Sequence, residues 1–167
     1  ELPFLPVRLF KEFDLISINK KNVFKTLYSS GTTSNNLSKI YLDKKNALNQ
    51  IKVLQKIFNN LIGNLRIPML IIDKKKIELD RKNFNASTAA INGFSIFANE
   101  TFYLLNEKNN IDYKNLNKFL KKHNKKKFLI FGFTANVFTN LIENIDINRI
   151  DKNAFTNAIL VHGGGWK

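Results

Sequence analysis

Apolar residues recur along this chain with two periods, and the switches between them mark out its elements. Residues 23–28, VFKTLY, make a short β-prone run, and residues 39–42, KIYL, make a second. Asp43 stands where a helix N-cap belongs. Behind it Ala47, Ile51, Leu54, Phe58 and Leu61 recur at helical spacing, and Gly63 supplies a stop. Residues 67–72, IPMLII, are apolar without alternation, which predicts a strand buried on both faces in a parallel sheet. Residues 85–98 are rich in small side chains and read as a helix interrupted by Gly93, and residues 102–105 read as a strand. Asp112 opens an amphipathic helix with Leu116, Phe119 and Leu120 inward, ending near His123. Residues 128–133, FLIFGF, predict a second buried strand. Residues 134–145 predict a helix with Val137, Phe138, Leu141, Ile142 and Ile145 inward. A last strand, AILV at 158–161, runs straight into HGGGWK.

This alternation predicts an α/β fold, a mostly parallel sheet flanked by helices. The length of 167 residues suits one domain or one lobe of a larger one. Fifteen Phe supply bulky core material, and no apolar run approaches the roughly 20 residues of a membrane span. No charged-then-apolar leader opens the chain, so the expected location is cytoplasmic. The sequence contains no cysteine, which excludes disulfides and a thiol nucleophile within it.

The net charge of +14 attracts polyanions in general. Its make-up argues against nucleic acid as the partner. The arginines are Arg8, Arg66, Arg81 and Arg149 alone, whereas base readout favours arginine. Lysine, asparagine and isoleucine are abundant together, a bias of the whole chain. The runs 74–76 and 125–127 read as solvated edges beside apolar strands.

Candidate chemistry sits in two glycine-bearing loops, each after a strand. The first is YSSGTTSNNLSK at 28–39. Gly31 lets backbone N–H groups approach a ligand, Ser29, Ser30, Thr32, Thr33 and Ser34 carry hydroxyls, and Lys39 adds a mobile charge. The loop is either a polar β-turn or a cradle for a polyphosphate. It lacks the second glycine of a Walker A loop, and no G-x-G-x-x-G occurs. The second loop is HGGGWK at 162–167. His162 either bonds a ligand or is a satisfied residue at a strand end, and Trp166 reads as packing. In open α/β sheets ligands bind beyond the carboxyl ends of strands, where both loops would lie if their strands share a sheet. His123 reads as a surface residue, and two distant histidines without cysteine give no zinc-type cluster; no metal-ligating residue is assigned.

SSGTT followed by a lysine resembles the phosphate-binding signature of adenylate-forming enzymes. The wider run SSGTTSNNLSKIYLDKKNALNQ resembles the acyl-protein synthetases of bacterial fatty-acid reductase systems, the LuxE type. LPFLPVRLFKE at 2–12, IGNLRIPMLIID at 62–73, FGFT at 131–134 and HGGGWK resemble that family in the same order, across nearly the whole chain. Ser34 stands where the wider superfamily has glycine, and Leu37 where a proline often precedes the lysine.

The resemblance implies activation of a fatty acid by ATP and Mg²⁺ as an acyl-adenylate, then transfer to a protein thiol. An acceptor protein or reductase subunit would be the partner. Ser29, Ser30, Gly31, Thr32, Thr33 and Ser34 would cradle the triphosphate, with Lys39 and Thr32 acting on it. His162, Gly163, Gly164 and Gly165 would lie near the nucleotide base, the glycines letting the backbone lie flat against adenine or leaving room for the acyl chain. The family's later motifs are not recognisable within 1–167. The expectation is therefore the N-terminal portion of one adenylation domain, its C-terminal part absent, binding ATP weakly and not completing transfer alone. The alternatives are an acyl- or aryl-coenzyme A ligase, or a non-catalytic remnant serving as an interaction module.

Overall fold

The computed structural model describes residues 4–29, 37–75 and 83–165, the side chains of 83–86 excepted. These residues form two compact units. The first lies within Glu1–Ile57 and Glu78–Ala90, the second within Phe58–Ile77 and Ile91–Lys167.

The first unit holds a three-stranded sheet in the order β2-β1-β4. Strand β1 (Lys25–Tyr28) pairs antiparallel with β2 (Lys39–Leu42), with Tyr28 opposite Lys39. Strand β4 (Asn83–Asn85) pairs parallel with β1. A short helix α1 (Leu9–Glu12) precedes them.

Helix α2 (Lys44–Ile62) begins as its sequence predicts. Asp43 Oδ1 accepts the Asn46 N–H at 2.6 Å, an N-cap that satisfies an otherwise orphaned donor. At the other end Gly63 has φ 81° and its N–H bonds Asn59 O at 3.0 Å, the left-handed stop that glycine permits. The helical spacing misplaces part of its inner face. Phe58 and Ile62 are buried, while Ile51 is exposed and Leu61 is 53% exposed.

The second unit is built on a four-stranded, wholly parallel sheet in the order β5-β3-β6-β7. Its strands are β3 (Ile67–Lys74), β5 (Ala98–Leu105), β6 (Phe128–Phe133) and β7 (Ala158–Gly163). The two runs apolar on both faces, β3 and β6, are the central strands, as burial on both faces requires. Pro68 lies in central β3, where a missing N–H would break the ladder. The register with β5 shifts between Ile67 and Pro68, an irregularity that accommodates it.

Alternation along the central strands gives the sheet two apolar faces. Leu70, Ile72, Phe128 and Ile130 pack with Leu116, Phe119 and Leu120 of helix α4 (Tyr113–Lys122) and with Val137. Phe119 meets Phe128 edge-on at 5.2 Å. Phe131 points the opposite way and stacks on Phe94 at 4.2 Å, and Phe97 stacks on Phe58 at 4.4 Å. Phe94 belongs to helix α3 (Ala86–Ser95), which Gly93 does not break.

The predicted helix after β6 has an unusual form. Helix α5 (Thr134–Asn136) is one turn, and Val137–Glu143 continues it as a π-helix, with the Asn144 N–H reaching Thr139 O at 3.0 Å. Val137, Leu141 and Ile145 pack on the core as expected, but Ile142 is 62% exposed because the wider turn rotates it outward.

His123 is a correction. It is 6% exposed, not a surface residue. It caps α4 against the Phe119 ring, and its Nε2 lies 3.2 Å from Glu100 Oε2 on β5, a carboxylate that also takes Lys122 Nζ at 2.6 Å. The surrounding lysines suggested solvent, but the ring lies on the inner side of the helix.

Candidate functional site

In a parallel strand followed by a helix, the carboxyl end of the strand is the edge that can face a ligand. Strands β6 and β7 reach that edge together, with Gly132 opposite His162 and Phe133 opposite Gly163. Gly132 makes the close approach possible. A Cβ there would lie 2.8 Å from Ile72 Cβ and 2.9 Å from Val137 Cγ2, so only glycine lets α5 start tight against the sheet.

Thr134 then falls directly behind the glycine turn and is 4% exposed. Its Oγ1 lies 2.8 Å from Gly164 O, 3.1 Å from Gly163 O and 3.0 Å from His162 Nδ1. A hydroxyl has one proton, and a carbonyl can only accept. The proton therefore goes to the two carbonyls, and Nδ1 must donate to Thr134 Oγ1. In its neutral form His162 is then the Nδ1–H tautomer, with the Nε2 lone pair on an exposed ring. The neutral ring can accept a hydrogen bond there at a fixed place.

The glycines of the turn differ. Gly164 has φ 93°, and a Cβ on it would sit 3.2 Å from Phe133 Cδ1, so the chain itself requires glycine there. Gly163 and Gly165 would place a Cβ in open space. Nothing among the described residues demands their lack of a side chain, and their bare backbone leaves room for a flat group.

The other loop belongs to the other sheet. Strands β1 and β7 do not share a sheet among the described residues, so that condition for a common rim is not met. Ser30, Gly31, Thr32, Thr33 and Ser34 lie outside the described residues, as does Trp166. Ser29 continues the pairing of β1 with β2: its N–H bonds Ser38 O at 3.0 Å, and its Oγ accepts the Ser38 N–H at 2.9 Å. The hydroxyl proton of Ser29 is left to donate.

Lys39 Nζ is 2.9 Å from Asp14 Oδ1, and the Tyr41 hydroxyl donates to the same oxygen at 2.9 Å. The Lys39 ammonium and the Tyr41 hydroxyl hold the Asp14 carboxyl below its usual range. Asp14 in turn raises Lys39, and burial, then Asp14, raises Tyr41. The ammonium keeps two further protons for an anion, set beside one fixed negative charge.

Thr134 and Asp14 were not visible as site residues in the sequence. FGFT carries only a resemblance, and no local spacing ties Thr134 to Gly164. A lone aspartate 25 residues before a lysine carries no signal. Among the described residues no group of three or more metal-ligating side chains occurs, and no helix is long and apolar enough to cross a membrane.

The second unit is thus an open parallel α/β sheet that presents a threonine-latched glycine turn and an oriented histidine at its carboxyl edge. The chain belongs to the LuxE acyl-protein synthetase family: the family model described as acyl-protein synthetase, LuxE, matches residues 1–167. The family's activity is that of a ligase joining acyl groups to protein. No curated protein and no solved structure gives a significant match to the chain.

Proposed function

We propose that this chain takes part in ATP-dependent activation of a fatty acid and its delivery to a protein thiol. The observation that carries the reading is the latched turn at the carboxyl edge of β7, with bare backbone at Gly163 and Gly165 and an acceptor nitrogen on His162. A planar base fits against such a backbone, and its exocyclic amino group would donate to His162 Nε2.

In this reading Ser29, Ser30, Gly31, Thr32, Thr33 and Ser34 cradle the triphosphate. Lys39 lies beside it, and Thr32 donates to the oxygens that gain charge. A carboxylate oxygen attacks the α-phosphorus, and the bond to pyrophosphate breaks with its electron pair leaving on pyrophosphate. The thiolate then attacks the acyl carbon, and AMP departs. The donors of this chain steady charge as it moves onto the leaving oxygens. Mg²⁺, held by the phosphates, would supply further neutralisation there.

The test is an NMR titration of the whole chain with MgATP, paired with an assay for fatty-acid-dependent pyrophosphate release. Shifts at His162, Gly164, Ser29 and Lys39 are expected even where turnover is slow. Unmoved resonances at all four would overturn the reading. Radiolabelled acyl group recovered on coenzyme A rather than on protein would replace the acceptor with coenzyme A.

A further inference from the structure

The second unit carries another polar concavity, remote in sequence from the glycine turn. It is a cleft of about 360 Å³ lined by Asn109, Asn110, Tyr113, Asn140, Asn144 and Arg149. That volume is in the range of small-molecule sites, roughly 300–1,000 Å³. The one charged group in the lining is the Arg149 guanidinium.

Arg149 is held unusually well for an exposed arginine. Its guanidinium lies over the Tyr113 ring, 3.7 Å from the centroid. Its backbone is fixed from two sides, by its N–H to Asp146 O at 3.1 Å and by Asn117 Nδ2 donating to its carbonyl at 2.9 Å. The Tyr113 hydroxyl accepts the Asp146 N–H at 2.7 Å, so ring and turn are locked together. The opposite wall is set by Asn106, whose Oδ1 accepts the N–H groups of Lys108 and Asn110 at 3.0 and 3.1 Å.

Among the described residues no carboxylate pairs with Arg149, and the side-chain amides of the four asparagines have no protein partner. Stacking occupies the face of the guanidinium and leaves its N–H edge open. A planar fork fixed in advance loses little freedom when a carboxylate or phosphate arrives, and it can bind two oxygens at once. Carboxamides both donate and accept, which suits hydroxyl or amide groups on the same molecule.

We propose that this cleft binds a small polar metabolite carrying one oxyanion. The oxyanion sits on Arg149, and the hydroxylated or amide-bearing body lies among Asn109, Asn110, Asn140 and Asn144. The site does not depend on the reading of the glycine turn.

The experiment titrates the ¹⁵N-labelled chain with inorganic phosphate, acetate and glucose 6-phosphate at constant ionic strength. Arg149 Nε–H and the four asparagine amides are followed. Saturable shifts confined to these groups are expected, with glucose 6-phosphate about 10-fold tighter than inorganic phosphate because the amides engage its hydroxyls. Arg149→Lys should weaken binding about 10-fold, since an ammonium neither stacks nor forks. Asn144→Leu, which leaves the stack in place, should lower the preference for glucose 6-phosphate. Saturation by acetate but not phosphate would mark a carboxylate ligand and keep the proposal. Shifts that grow linearly and spread over the surface lysines, unchanged in both variants, would overturn it as the ion atmosphere of a +14 chain. So would no shift at all.

Discussion

Replacing Thr134 by valine removes one hydroxyl and almost no volume. Three partners lose their common atom: Gly164 O, Gly163 O and the Nδ1–H of His162. A buried polar group left without a partner costs about 1–3 kcal/mol. Here the three partners are on exposed residues, so water can replace much of the loss, whereas Thr134 itself is buried. The expected destabilisation is therefore about 1–2 kcal/mol, with Tm falling about 2–4 °C for each kcal/mol in a chain of this size. The urea midpoint reads that energy. A long-range ¹H–¹⁵N spectrum reads the His162 ring, which should hold its proton on Nδ1 in the parent and in Thr134→Ser. In Thr134→Val the ring should drift toward the mixture of a free imidazole. A parent ring with its proton on Nε2, or a valine variant with the parent's tautomer and midpoint, would refute the proton count at the latch.

Other outcomes follow from the same geometry. Gly132→Ala should destabilise by about 1–3 kcal/mol in denaturant melts, because its Cβ meets the fixed Cβ of Ile72 and the Val137 side chain. Phe119→Ala should cost about 3–5 kcal/mol, as expected for a fully buried ring touching Phe102, Phe128 and His123; a smaller loss would mean the core collapses around the gap. Burial lowers the pKa of His123, with Glu100 opposing. The unfolded chain therefore takes up the proton first as the medium is acidified. Stability should fall as pH drops through the ordinary histidine value of 6.5 toward the depressed folded one, and His123→Gln should flatten that slope while keeping a donor toward Glu100. Asp14→Asn should bring the Lys39 ammonium back toward its ordinary titration, followed by NMR of the methylated amine. It should tighten MgATP binding several-fold if Lys39 serves the triphosphate, and leave the melting point nearly unchanged for so exposed a pair.

What the sequence made legible was what local periodicity controls. The central strands β3 and β6 announced themselves because both faces are apolar, and α4 did so because Leu116, Phe119 and Leu120 share a stripe. The Asp43 and Gly63 ends of α2 were legible because caps are local chemistry. Strand β5 was seen only in its second half. Its first half, ANET, is polar in composition, and pairing with β3 makes it a strand. The parallel pairings of the second sheet, the contact of His123 with Glu100 and the grip of Thr134 all join residues 20 or more apart. No window of sequence contains both halves of such a contact. The serine-threonine loop is the reverse case: it was the strongest signal in the sequence, and from Ser30 to Asn36 it lies outside the described residues.

The widened helix after β6 closes its hydrogen bonds one residue further along the chain than an ordinary one, and it answers to two masters. Its first turn aims Thr134 at the glycine turn, while Leu141 and Ile145 further along must reach the core. Deleting one residue from Val137–Glu143 would turn one end against the other by a large part of a quarter turn or restore an ordinary α-helical turn, and either change shifts Leu141 relative to Thr134. Either the latch would come undone or the two apolar anchors would surface. Length is thus fixed in this segment more strictly than side-chain identity. Single-residue deletions within Val137–Glu143 should therefore unfold the second unit in denaturant melts, whereas a polar replacement of exposed Ile142 should be tolerated.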